Sequence, residues 1–132
     1  MKQLILIFTL LLSTPVISSS TYAEWTKTGS NTKATNHYTD FDRIKKRGDY
    51  VYFWQLRDYL NPTKYGILSS KIYNQGDCKL FRYKILSTVF HKQPMGRGWW
   101  RTSPQKKPKW KYPSPKSIEE VNLKSVCSRW VR

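Results

Sequence analysis

The chain has 132 residues, of which 24 are Lys or Arg and 8 are Asp or Glu, a formal net charge of +16. That length holds one domain rather than two, and with 39% hydrophobic and 15% aromatic residues the composition excludes wholesale disorder. The one continuous apolar run lies at the extreme N-terminus, which excludes a polytopic membrane protein. Residues 1–23 open with Met1-Lys2, continue through an apolar stretch at 4–12 broken only by Thr9, and close Thr21-Tyr22-Ala23 after a Ser-rich segment. Charge, apolar core and small residues in that order read as a signal peptide cleaved after Ala23. The run is also too short to span a bilayer comfortably. No cysteine stands near the cleavage region, so a lipid anchor is not expected. The expected product is one exported domain, residues 24–132, with a net charge of +15 once Lys2 is lost.

Within that domain, residues 24–28 form a short candidate strand opening with Trp25, and residues 29–35, rich in Ser, Thr, Asn and Gly, read as a turn or loop. Residues 36–41 are a second candidate strand, and residues 42–49, with Arg43, Lys45, Lys46, Arg47 and Gly48, read as a charged connection. Residues 50–59 carry the strongest strand signal, being rich in aromatic and β-branched side chains. The first half of that strand is apolar on both faces, which predicts a central strand covered on both sides. Asn61-Pro62 ends it. Residues 67–73 are the next strand, closed by Asn74, Gln75, Gly76 and Asp77. Residues 79–90 alternate, with Phe81, Tyr83, Ile85 and Val89 on one face and Leu80, Leu86 and Phe90 interrupting the polar one. A turn at 93–98 then leads to a last short strand at 99–102, forming a hairpin with the long one.

Residues 103–115 differ in kind. Pro104, Pro108, Pro113 and Pro115 exclude helix and central strand, so this is an extended surface connector. Ser117 with Glu120 three residues on is a capping box, and Glu119 and Glu120 suit the positive end of a helix dipole. Leu123, Val126, Cys127 and Trp130 fall at i, i+3, i+4 and i+7, the buried stripe of a C-terminal helix. Ile118 and Val121 lie off that stripe. The fold expected is α+β: an antiparallel sheet of five to six strands with one helix across a face.

Cys78 and Cys127 are the only cysteines. In an exported chain they have one pairing open to them, the alternative being two free thiols. The pairing would tie the buried face of the helix to the start of the long strand. Closing that loop of about 49 residues is worth roughly 4 kcal/mol in the chain-entropy model.

Catalytic and metal chemistry find little support. His37 and His91 are the only histidines, and an acid–base pair of this kind could serve a secreted enzyme acting on nucleic acid. Nothing in their spacing brings them together, so no catalytic residue is assigned. No metal-ligand spacing, phosphate-cradling glycine loop or nucleophile elbow is present, and no cofactor or metal is expected. The charge is the unusual quantity, because a field of this strength attracts polyanions and speeds association with them. The densest stretch, residues 97–116, interleaves Trp99, Trp100, Trp110 and Tyr112 with Arg97, Arg101, Lys106, Lys107, Lys109 and Lys111. Flat rings alternating with cations suit stacking plus charge neutralisation. The candidate ligand residues are therefore Arg97, Trp99, Trp100, Arg101, Lys106, Lys107, Lys109, Trp110 and Lys111, with residues 43–47 as a second cluster. Acidic extracellular ligands and an anionic envelope surface fit this pattern, and export argues against nucleic acid. The other reading is a solvated basic surface with no specific ligand.

A set of residues in order resembles a known family. It runs from Trp25, Asp40, Arg43-Ile44 and Gly48 into Val51 to Leu56, then Ser69-Ser70-Lys71, Asp77-Cys78 and Arg82-Tyr83. Met95-Gly96-Arg97-Gly98, Trp110, Pro113 and Val126-Cys127 complete it. Over about residues 24–130 the chain resembles the surface-adhesin protein E family of small exported Gram-negative proteins. That resemblance implies an antiparallel sheet with a C-terminal helix held by a disulfide, here Cys78 to Cys127. It also implies a non-enzymatic adhesin whose partners are host matrix or plasma proteins, with a homodimer as one assembly. The location would be periplasm, cell surface or medium. The readings from other classes are the secreted enzyme already described and an envelope protein whose partner is another bacterial protein.

Overall fold

The aromatic run at residues 50–59 becomes the middle strand of a seven-stranded antiparallel sheet in this computed structural model, which describes residues 24–130. The strands are β1 (Thr26–Ser30), β2 (Thr35–Thr39), β3 (Lys45–Arg47), β4 (Tyr50–Tyr59), β5 (Ser69–Asp77), β6 (Arg82–His91) and β7 (Trp99–Pro104); helix α1 (Ile118–Trp130) follows. Their order in the sheet is β1-β2-β4-β5-β6-β7, and β3 shares with β2 one edge of β4. The expected leader at residues 1–23 lies outside the described residues.

Strand β3, three exposed cations, lies within the stretch that reads from sequence as a charged connection. Its pairing follows from the turn after it. Arg47 lies opposite Tyr50, leaving Gly48 and Asp49 as a two-residue loop, and Gly48 takes the positive φ (59°) that such a loop needs at its first position. A short Lys/Arg edge strand is also a poor template for a foreign strand.

Strand β5 runs on through Asn74, Gln75, Gly76 and Asp77, where turn residues had suggested a stop. Asn74 is buried, and its amide donates to Gln55 Oε1 at 3.1 Å and Ile72 O at 3.2 Å. At Gly76 a Cβ would meet Val51 Cγ2 at 2.9 Å, Leu123 Cδ1 at 3.1 Å and Phe53 Cε1 at 3.2 Å. Glycine is there because the core leaves no room for a side chain. The alternation read across β6 also fails at one point. Tyr73 pairs with Ser87 but Asn74 with Ile85, so Leu86 is the extra residue of a β-bulge. The bulge carries Val89 to the face opposite Tyr83 and Ile85.

Helix α1 begins as read. Ser117 Oγ accepts the Glu120 amide at 3.2 Å, while the Glu120 carboxylate accepts from Lys116 N at 3.4 Å in place of the reciprocal bond of a full capping box. Leu123, Val126 and Cys127 are buried against Ile44, Val51 and Phe53, with Phe41 and Phe81 at the margin. Burying a side chain such as Phe53 or Leu123 is worth about 1.5–3 kcal/mol. The Cys78–Cys127 disulfide holds this helix to the β5–β6 connection, with Cα atoms 5.5 Å apart. The helix covers one face only. On the other, Leu56 is fully buried beneath the 3-10 turn Pro94–Gly96, but Tyr52 and Trp54 remain half-buried. The cover expected over the apolar first half of β4 is therefore present on the helix side and incomplete on the other, where the buried Leu56 lies further along the strand.

Two outcomes test this account. Reducing the disulfide, which spans a separation of 49 residues, should lower the unfolding free energy by about 4 kcal/mol, measured by urea denaturation with and without reductant. Gly76→Ala should cost about 1–3 kcal/mol by overpacking, read as a lowered denaturation midpoint at unchanged slope.

Candidate functional site

Period-2 alternation in β4 sends Val51 and Phe53 to the helix and Tyr50, Tyr52 and Trp54 to the opposite face. Register then decides what they meet there. Trp54 lies directly across from Tyr73, and their rings stack at 4.8 Å with 28° between planes. The Tyr52 ring is 6.2 Å from that of Tyr73. Tyr50, at the strand's start, contacts Trp110 at 5.4 Å. An aromatic row thus crosses the open sheet face.

Cations border the row. The Arg47 guanidinium sits 5.8 Å from the Tyr52 ring centre, while Arg82 and Lys84 lie 4.2 and 4.3 Å from that of Trp110. Beside Trp54 and Tyr73, a groove of about 440 Å³ is lined by Asp42, Arg43, Ile44 and Lys45 together with Tyr52. The groove wall is set by Asp40, buried at the end of β2. Its carboxylate accepts from Asp42 N at 3.2 Å and pairs with Arg43 Nε at 3.3 Å, holding the 3-10 turn Phe41–Arg43 against the sheet. Burial raises the Asp40 carboxyl above its ordinary value, against the pull of Arg43 and the turn amides. Lys71, half-buried on this face, is lowered by burial and by Arg43. At Asp77, burial works upward, but the Leu80 and Lys79 amides and the Arg82 guanidinium (2.9 Å) hold the carboxyl below its usual range.

The residues expected to bind ligand do not form one site. Trp110 joins the aromatic row, pinned by two backbone hydrogen bonds between Lys111 and Tyr83 at 2.9 and 2.8 Å. Lys106, Lys107, Lys109 and Lys111 are exposed along the connector. Arg97, Trp99, Trp100 and Arg101 stand instead at the far end of the strands, beside His91 and Phe90. Ten-residue β4 separates the two ends by about 30 Å. The sequence reading missed Tyr52, Trp54 and Tyr73 as surface groups; for Tyr52 and Trp54 the signal was the i, i+2, i+4 aromatic spacing from Tyr50, while Tyr73 reaches them only through the β4–β5 register.

His37 and His91 are also kept apart. Both are buried (7% and 4% exposed), His37 on the helix side of β2 and His91 near the Pro94–Gly96 turn on β6. Two strands, β4 and β5, lie between theirs, so the imidazoles cannot act on one substrate atom. Burial lowers both below 6.5, reinforced by Arg57 at His37 and by Lys71 at His91, while Glu119 opposes it at His37.

The lowered imidazoles fix the sign of a pH effect. The unfolded chain takes up protons at these positions before the folded one does, so their contribution to stability is complete above pH 6.5 and is lost below it. Asp77 acts in the same sense, further into acid, and Asp40 in the opposite sense there. Denaturation between about pH 7.5 and pH 5.5 should show stability falling with pH, and His37→Gln with His91→Gln should flatten that fall.

Among proteins of known kind, the profile of the family described as surface-adhesin protein E matches residues 25–128. Crystal form II of Haemophilus influenzae protein E superposes with a TM-score of 0.62 at 16% identity, covering 83% of this chain and 91% of that one. A second protein E structure from that organism gives 0.61 at 16%, covering 83% and 87%. Protein E from non-typeable Haemophilus influenzae gives 0.54 at 17%, again covering 83% and 87%. At this identity the likeness speaks to the fold. No curated protein sequence matches the chain.

Proposed function

The chain belongs to the surface-adhesin protein E family, an adhesin-like class of surface protein, and on that premise we propose that it is an exported, non-enzymatic binding protein for acidic extracellular ligands. Host matrix and plasma proteins with acidic surfaces are the partner class. Residues 1–23 act as the export signal, and residues 24–132 are the single working domain. The protein acts from the periplasm, the cell surface or the medium; as a homodimer it would present two such surfaces.

One observation carries the reading. The Trp54–Tyr73 stack and the Tyr52 ring form a half-exposed platform whose rim is cationic: Lys45 and Arg47 on one side, Lys84 on the other. Planar rings offer apolar contact at low cost in side-chain entropy, and the surrounding charge steers anionic partners toward them. The connector lysines 106, 107, 109 and 111 enlarge the same positive field next to Trp110. The separation of His37 and His91 speaks against the enzymatic alternative.

The test is binding to immobilised heparin, standing for an acidic extracellular polymer. Trp54→Ala with Tyr73→Ala should weaken it at least about tenfold. Changing Lys106, Lys107, Lys109 and Lys111 to Ser should weaken it sharply at low salt. Raising ionic strength from about 0.01 M to about 0.15 M shortens the screening length from about 30 Å to about 8 Å, and retention should fall steeply with it. Retention indifferent to salt and to both variants would overturn the reading.

A further inference from the structure

The end of the sheet remote from Trp110 has its own chemistry. It is built from two loops, residues 60–68 between β4 and β5 and residues 92–98 between β6 and β7, which the strands bring side by side. Leu68 N donates to His91 O at 3.0 Å, and the Lys92 ammonium donates to Tyr65 O. Each loop is braced from within, by Thr63 N to Ile67 O (3.0 Å) in one and Lys92 N to Gly98 O (2.9 Å) in the other. The second is also fastened to the sheet, through Met95 N to the Asp58 carboxylate and Gly96 N to Ser69 Oγ, both at 2.8 Å.

Three large apolar side chains stand in water at this end, Leu60 (72% exposed) and Tyr65 (62%) on the first loop and Trp99 (67%) at the start of β7. Around them are four exposed cations, Lys64, Lys92, Arg97 and Arg101. Lys64 lies 5.0 Å from the Tyr65 ring centre, and Lys92 and Arg101 flank Trp100 at 4.5 and 4.6 Å. Acidic groups are missing from the same stretches: residues 59–76 and 78–118 contain no Asp or Glu. Asp58, the carboxylate just before the first loop in sequence, is engaged by Met95 N. The Trp99 indole N–H donates to Thr102 Oγ1 at 3.1 Å, so the ring can leave water without stranding its donor.

We propose that this end of the sheet rests on the surface of an anionic phospholipid bilayer, with Trp99, Tyr65 and Leu60 entering the headgroup region and the four cations lying among lipid phosphates. Exposed Trp and Tyr are the side chains that favour a membrane–water interface, and Lys and Arg beside them add attraction to anionic lipid. The association is peripheral, since among the described residues no helix is long and apolar enough to cross a membrane. An acidic protein would be met by the cations alone. It gives no account of why three apolar side chains share this end, and that favours lipid. The proposal goes beyond the ligand platform, which lies mid-sheet around Trp54 and Tyr73, and can fail independently.

The test uses the disulfide-bonded chain from residue 24 onward and vesicles of phosphatidylglycerol and phosphatidylcholine, with pure phosphatidylcholine as control. Wild type should sediment with the anionic vesicles and not with the neutral ones. Trp99→Ala with Tyr65→Ala should lower the partition at least about tenfold, and Lys92→Ser or Arg97→Ser should lower it about fivefold each. Lys106→Ser with Lys107→Ser, outside this end, should change it less than twofold. Since Trp99 and Tyr65 are exposed, their removal leaves the core intact, which an unchanged denaturation midpoint verifies. As a second readout, brominated acyl chains should quench part of the wild-type tryptophan fluorescence, and that part should vanish in Trp99→Ala. Failure of wild type to bind, or equal loss in the connector variant, would overturn the proposal. So would retained vesicle binding without Trp99 and Tyr65, because the protein would then be reading charge alone, as it would on an acidic polypeptide.

Discussion

The clamp of α1 on one face of the sheet is the constraint on which the rest depends. Val51 and Phe53 from β4, Leu123 and Val126 from the helix, and the Cys78–Cys127 bridge make one small core. A domain of this size buries only about two thirds of the surface its unfolded chain exposes and is correspondingly marginal. The covalent link matters because it keeps the helix on the sheet against that margin. Gly76 shows how close the fit is: backbone, helix and sheet side chains meet where no Cβ has room.

Because one helix covers one face, the other is left over, and its aromatic residues become surface. Trp54, Tyr73 and Tyr52 would be core residues in a two-sided sandwich. Here they stack on one another and are bordered by cations, while further along that side Leu56 is sealed by the Pro94–Gly96 turn. The aromatic content that composition assigns to a core is thus divided between packing and recognition. The same division explains Trp110. Held between Tyr50, Arg82 and Lys84, it fastens the proline-rich connector across the sheet and carries the chain to the start of the helix.

Charge follows a comparable logic. Among the described residues, two ion pairs are structural: Arg43 with Asp40 at a 3-10 turn, Arg82 with Asp77 at the β5–β6 connection. Several other cations lie over aromatic rings, Arg47 on Tyr52 and Arg101 on Trp100 among them. A cation over a ring stays available to an anion in a way that a cation paired with a carboxylate does not. The open sheet face and the loop end therefore both combine apolar contact with positive charge, yet with different geometry: a groove on one, two braced loops at the other.

The sequence by itself determined the local elements: the bounds of β4, the capped start of α1 at Ser117, the hairpin into β7, the connector, and the disulfide. Each follows from short-range physics, namely side-chain alternation, proline's missing donor, a serine hydroxyl near a helix N-terminus, and two cysteines with one partner each. What only the tertiary structure decided was which residues share a face and an end. Lys45–Arg47 became a strand because β4 offered a vacant edge. Asn74 to Asp77 stayed extended because the core required Gly76. The bulge at Leu86 shifted Val89 across the sheet, and the run from Arg97 to Lys111, continuous in sequence, was parted between opposite ends of the strands. Pairing register and helix coverage depend on contacts between residues distant in the chain, and no local pattern encodes them.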